Sequence, residues 1–167
     1  MKSLNHPQLT DSNSSIGRWA WPVAGVLLCL GLGTGVGLST AGGADGWYQE
    51  LIPPPGTPPP WVFGPVWAIL YLLMGVALGR LVHRKATHAV WVFATQGLLN
   101  LLWTPVFFGM HQIAAALALI VAIWLGLVTT MQLARKSDLI AAGLLLPYWI
   151  WLSYATYLNA GFYWLNP

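Results

Sequence analysis

The chain has 167 residues, of which 57% are hydrophobic and only 7% charged, and its net charge is +3. Soluble domains carry roughly a quarter of their residues as charges, and a soluble protein of this length could not cover its surface with so few. The composition therefore indicates an integral membrane protein. No basic stripe exists to neutralise phosphates, which argues against nucleic acid as a partner.

Residues 1–18 are polar, rich in Ser and Asn, and lack a hydrophobic period, so they read as a disordered tail. Asn13-Ser14-Ser15 matches a glycosylation acceptor, a motif too short to carry weight. The first apolar run, about 19–41, is long enough to span a bilayer. It exceeds the typical hydrophobic part of a cleaved signal, about 7–15 residues, although Ser39-Thr40-Ala41 offers small residues at its end. Gly31, Gly33, Gly35 and Gly37 form overlapping small-xxx-small pairs, which permit close helix–helix approach within the bundle or between subunits. Cys29 lies in the same run and is the only cysteine, so an intramolecular disulfide and a cysteine-based metal site are both excluded. It reads as a small buried hydrophobe.

Residues 47–71 read WYQELIPPPGTPPPWVFGPVWAILY and hold seven of the twelve prolines. Proline fixes φ and lacks an N–H, so 53–60 is neither helix nor central strand. It is expected to be a stiff, largely extended lid over a cavity between helices. Four more spans follow, at about 61–82, 88–108, 113–134 and 139–164. Pro147 lies inside the last and predicts a kink. The connections between spans two to five are only a few residues, so consecutive helices are antiparallel neighbours in a compact five-helix bundle.

Charge placement checks the span count. Lys2 and Arg18 precede the first span, Arg80, Arg84 and Lys85 lie at the second-to-third turn, and Arg135 and Lys136 at the fourth-to-fifth. With five spans all of these fall on one side, while Asp45 and Glu50 fall on the other. The positive-inside rule then puts the N-terminus inside and the proline loop and C-terminus outside.

No Asp, Glu, Lys or Arg lies deep in any span, which argues against ion-driven transport and leaves no acid–base catalytic constellation. The histidines His6, His83, His88 and His111 lie in the tail or near helix ends, and no metal site is expected. Gln96, Asn100 and Thr104 recur at i, i+4, i+8 and form one polar stripe, which must face the bundle. Interhelical hydrogen bonding or a polar cavity wall both explain it, and Asn100 is the stronger cavity candidate because Trp103 is nearly on its face. Trp19, Trp21, Trp47, Trp61 and Trp164 lie near span ends, as an interfacial belt requires. Trp67, Trp91, Trp124, Trp149 and Trp151 lie deeper. Trp67 pairs with Tyr71 at i, i+4, and Trp151 with Ala155 and Asn159. Packing explains such stripes, and so does a flat apolar ligand stacked among aromatic rings.

Those residues carry a resemblance. WYQEL, the prolines with WVFGPVWAILY, then NLLWTPVFFG and PYWIWLSYATYLN, over about 46–159, resemble the tryptophan-rich sensory protein/translocator protein (TspO/MBR) family, formerly the peripheral benzodiazepine receptors. The resemblance implies a five-helix, usually dimeric membrane protein with a cavity beneath the first long loop, occupying 19–167 here. It implies binding of porphyrin or haem as ligand, with no required cofactor. The ligand contacts it implies are Trp47, Trp67, Tyr71, Asn100, Trp103, Trp151 and Ala155. Trp67 and Trp151 match tryptophans associated with light-dependent porphyrin breakdown and are the candidate catalytic residues should the protein be an enzyme.

Three positions depart from the family. Gly56 stands where many members have a loop aromatic, and Thr57 and Pro60 replace the loop histidines of animal members. Ala160 and Trp164 replace the tyrosine and basic residue of the fifth-helix sterol motif, which disfavours cholesterol binding by that route. The leading expectation is tetrapyrrole sensing, sequestration or transport. The alternatives are photo-oxidative porphyrin cleavage and a non-catalytic membrane adaptor that docks through the first-helix glycines. A bundle of this kind suits a bacterial cell membrane, a photosynthetic membrane or an organellar one.

Overall fold

The structure is a computed structural model that describes residues 13–40 and 46–167, with side chains described for 19–36 and 46–167. The tail over 1–12, the small residues at Ala41 and the acid Asp45 lie outside the described residues. The described elements are helices: α1 (Asn13–Thr40), α2 (Trp47–Glu50), α3 (Phe63–His83), α4 (Thr87–Thr104), α5 (Ile113–Ser137), α6 (Leu139–Leu144) and α7 (Leu146–Leu165). A 3-10 turn over Pro60–Val62 leads into α3, and a π-helical turn over Pro105–Gly109 ends α4.

Five helical segments are long and apolar enough to cross a membrane: Trp19–Val36, Pro60–His83, Thr87–Gly109, Ile113–Ser137 and Leu139–Leu165. These match the expected spans to within a few residues. One boundary differs more. The backbone is helical from Asn13, six positions before the apolar run. Asn and Ser are favoured at helix starts because their short polar side chains can serve the first free N–H groups, so polarity there does not preclude a helical turn.

The fifth span is broken where the proline requires it. Pro147 has no N–H to donate, so the helix stops at Leu144 and restarts at Leu146, with Pro147 in the first turn of α7. Leu145 bridges the two pieces, donating to Ala142 O and accepting from Trp149 N. At the other end of α4, Pro105 sits in the π turn, where Met110 N reaches Pro105 O at 2.8 Å.

Around the bundle, α1 packs chiefly on α3, α4 on α5, and α5 on both α6 and α7. The α1–α3 approach is close because both helices contribute glycine. A Cβ on Gly75 or Gly79 would run into the backbone of Val26 and Gly25, or of Pro22 and Trp21. Gly25 is likewise jammed against the Gly75 carbonyl. The close-packing motif is therefore Gly75-xxx-Gly79 on α3 meeting Gly25. Of the first-helix stripe, Gly33 lies against the Tyr71 ring, whereas Gly31 and Gly35 face open space.

At the end opposite the proline loop, the two basic turns meet. Asp138 accepts from Arg80 Nη2 at 2.9 Å and from Arg84 Nε at 3.5 Å, and its side chain is almost fully buried. It also caps α6 by accepting the Ala141 N–H at 3.0 Å. Burial pushes the Asp138 carboxyl up, but the Ala141 N–H and the Arg80 and Arg84 guanidiniums together outweigh it and hold the group below its ordinary value.

Candidate functional site

The relation between α3 and α7 positions the site. α3 runs closely beside α6, whereas its backbone approaches α7 at few points. Aromatic side chains fill the interval between the two helices. Phe63 meets Trp151 edge-on at 5.9 Å, and Trp67 meets Tyr148 at 6.2 Å. Trp67 stacks on Tyr71 at 5.2 Å and 27°, one turn farther in. Trp151 also contacts Tyr154 at 5.7 Å. Ala155 follows Trp151 by one turn and packs at the edge of the same core.

The seam is roofed by residues 51–60, and the roof is fastened to α7. Tyr157 donates to Pro55 O at 3.0 Å, and the Tyr154 hydroxyl donates to Gly56 O. Pro54 is buried on Gly161, where a Cβ would strike its ring. Asn166 completes the attachment with a reciprocal pair, accepting from Ile52 N at 2.8 Å and donating to Ile52 O at 3.1 Å. Within the loop, Thr57 N reaches Pro54 O at 3.2 Å and Gly56 has φ +85°. Pro at the second position and a positive-φ Gly at the third are the demands of a type II turn. Gly56 is thus set by turn geometry. The lid is a proline turn clamped to a helix rather than a wholly extended strap.

The polar stripe of α4 divides its work. Gln96 is fully buried and accepts from the Tyr148 hydroxyl at 3.3 Å, tying α4 to α7. Asn100 is buried and makes no side-chain hydrogen bond among the described residues, so its amide is free to meet a polar group. Trp103 donates to Asn159 Oδ1 at 3.0 Å and stacks on Phe107 at 5.1 Å.

A second aromatic cluster closes the loop end. Trp47 stacks on His111 at 4.3 Å and meets Phe107 at 5.8 Å, while Tyr48 contacts Phe107, Phe108 and Phe162. The π turn presents Phe107 and Phe108 toward α2, and His111 follows two residues beyond its end. Trp47 therefore sits in this outer cluster, apart from the ring contacts of Trp67, Tyr71, Tyr148 and Trp151. Trp103 touches both groups of packed residues.

Tyr148 and Phe63 belong to the seam and are not singled out by sequence reading. Tyr148 could have been found, since it precedes Trp151 by three residues and Ala155 by seven and so shares their helix face. Trp124 and Trp149, the other deep tryptophans of α5 and α7, meet each other at 6.2 Å. The Trp124 indole donates to Ser153 at 2.8 Å, so packing accounts for this pair. Trp91 is exposed at the bundle surface. Among the described residues, no three His, Cys, Asp or Glu side chains are grouped to hold a metal ion.

Residues 25–165 match the model of the TspO/MBR family. The chain belongs to that family. It is 39% identical to the tryptophan-rich protein TspO of Chlorobaculum tepidum over 149 residues, which is 84% of this chain and 94% of that protein. It is 42% identical to the tryptophan-rich sensory protein of Cereibacter sphaeroides over 116 residues, 69% of this chain and 73% of the relative. The human translocator protein is 37% identical over 147 residues, 83% of this chain and 86% of its own length. As a TspO/MBR member with five apolar spans, this is an integral membrane protein. The family match covers the whole of α3 to α7 and all the seam residues.

Proposed function

We propose that the protein binds porphyrin- or haem-type tetrapyrroles in the aromatic seam between α3 and α7, and acts in tetrapyrrole sensing, sequestration or transport. One observation carries the reading: neutral rings of α3 and α7 meet in two places, Trp67 and its stacked Tyr71 with Tyr148, and Phe63 with Trp151, where the two backbones make few close approaches. A flat macrocycle inserted among such rings exchanges ring–ring contacts for stacking over a larger area. The free amide of Asn100 supplies a hydrogen-bonding group for a polar edge. The names of two relatives, a sensory protein and a translocator protein, agree with a binding role coupled to signalling or passage.

Titration of the purified protein with protoporphyrin tests this directly. Saturable quenching of tryptophan fluorescence at stoichiometric ligand is the expected result. A linear response, the same as with free tryptophan in the same detergent, contradicts it.

A further inference from the structure

The end of the bundle opposite the lid carries cations in excess of what its one described carboxylate can neutralise. Asp138 engages Arg80 at 2.9 Å and, more loosely, Arg84 at 3.5 Å. Lys85, at the α3–α4 turn, and Arg135 and Lys136, at the end of α5, are exposed and have no acidic partner among the described residues. Arg84 remains more than half exposed even while paired. The Arg80–Asp138–Arg84 contact brings the α3 end and the α5–α6 junction side by side, so the free cations lie at the same end of the bundle. Beside them, Leu139 and Ile140 open α6 with 70% and 60% of their surfaces exposed.

We propose that this surface binds anionic phospholipid headgroups, with Lys85, Arg135 and Lys136 as the principal contacts and Arg84 as an auxiliary. Charge complementarity indicates an anion, and the ends of the spans at His83, Ser137 and Leu139 put these cations at the rim of the bilayer, where headgroups lie. A phospholipid headgroup sits at that rim with its acyl chains in the bilayer alongside, whereas a soluble acidic protein or a free anion has no such reason to concentrate there. Asp138 shapes the site by holding Arg80 inward and keeping α3 against the α6 cap. A lipid bridging the α3–α4 turn and the α5 end would reinforce the same junction from outside.

Native mass spectrometry of the detergent-purified protein is the test, with phosphatidylglycerol and phosphatidylcholine of identical acyl chains added in parallel. Each surface cation near anionic lipid contributes roughly fivefold in affinity. Wild type should therefore retain phosphatidylglycerol far better than phosphatidylcholine, and a Lys85→Gln/Arg135→Gln/Lys136→Gln variant should lose that preference. Its helicity and elution volume serve as the folding control. Should that variant misfold, raising the salt concentration on wild type substitutes for it, because screening should abolish the phosphatidylglycerol preference. Equal retention of the two lipids by wild type, a preference untouched by the triple substitution, or one indifferent to salt overturns the proposal. Full competition by inorganic phosphate at matched concentration overturns the lipid assignment.

Discussion

The indole N–H of Trp103 donates to Asn159 Oδ1 at 3.0 Å, while Asn159 Nδ2 donates to Ile113 O at 3.2 Å. One buried amide on α7 therefore joins the end of α4 to the start of α5 just below the lid. Trp103 is held from two directions, by this bond and by its stack on Phe107. Such a residue forms a fixed wall, in contrast to the Trp67–Tyr71 stack, whose indole makes no hydrogen bond among the described residues.

Trp103→Phe should accordingly damage the fold more than the ligand chemistry. It leaves Asn159 Oδ1 buried without its donor, a loss of about 1–3 kcal/mol. Thermal unfolding in detergent should show the drop. Stability equal to wild type would mean that the bond contributes nothing.

The α1–α3 contact gives a paired test. Gly79→Ala sets a Cβ against the backbone of Pro22 and Trp21, which cannot yield as a flexible side chain could. The expected cost is about 1–3 kcal/mol. Gly35→Ala, on the open face of α1, should be neutral or slightly stabilising because Ala outranks Gly in a helix. Melting temperatures of the two variants in one detergent decide between them, and similar losses at both sites would refute this packing.

Asp138 makes a pH-dependent prediction. Its pKa is lowered in the folded state, so its contribution is fully present above the ordinary carboxylate value of 3.8. That contribution is lost as pH falls through the lower, folded value. Asp138→Asn should retain much of the α6 cap but lose the ion pair, at a cost of about 1 kcal/mol given the exposure of both arginines. Unfolding curves of variant and wild type should differ at pH 7 and converge only below about pH 4. A gap that persists unchanged into strong acid would refute the assignment.

The lid should loosen without unfolding the bundle when its clamps are removed. Tyr157→Phe deletes the hydroxyl that donates to Pro55 O, and Gly56→Ala places a Cβ at φ +85°, each costing about 1 kcal/mol locally. Hydrogen exchange or limited proteolysis should report faster opening confined to 51–60. Unchanged protection of the loop would show that other contacts hold it.

Much of this was readable before the structure because membrane spans are written in long apolar runs and their order in the basic turns. Pro147 likewise announced its break, since a missing N–H acts through covalent geometry alone. Facing was harder. A stripe of small residues, such as Gly31 to Gly37, shows which positions could approach a neighbour but not which side the neighbour occupies. Among the described residues of that stripe only Gly33 is in close contact, against the Tyr71 ring, and the helix backbones meet at Gly25, Gly75 and Gly79. The π turn at Pro105–Gly109 was equally hidden, because proline predicts an interruption there but not its hydrogen-bond register. That register decides where Phe107 and Phe108 point, and Trp47 packs on Phe107 in the outer cluster. Gly56 carried a legible turn signal in Pro55-Gly56, yet beside the family pattern it reads as a missing aromatic.

The central claim is that the ligand lies among Trp67, Tyr71, Tyr148 and Trp151, and protoporphyrin affinity measured across matched tryptophan variants tests it most directly. Trp67→Leu/Trp151→Leu removes two seam rings, whereas Trp91→Leu/Trp164→Leu removes two exposed at the bundle surface. Stacking of a flat ring is worth on the order of 1 kcal/mol per aromatic partner. The seam variant should therefore bind at least tenfold more weakly, while the surface variant binds like wild type. Equal affinity in all three proteins would contradict the account and put the ligand elsewhere.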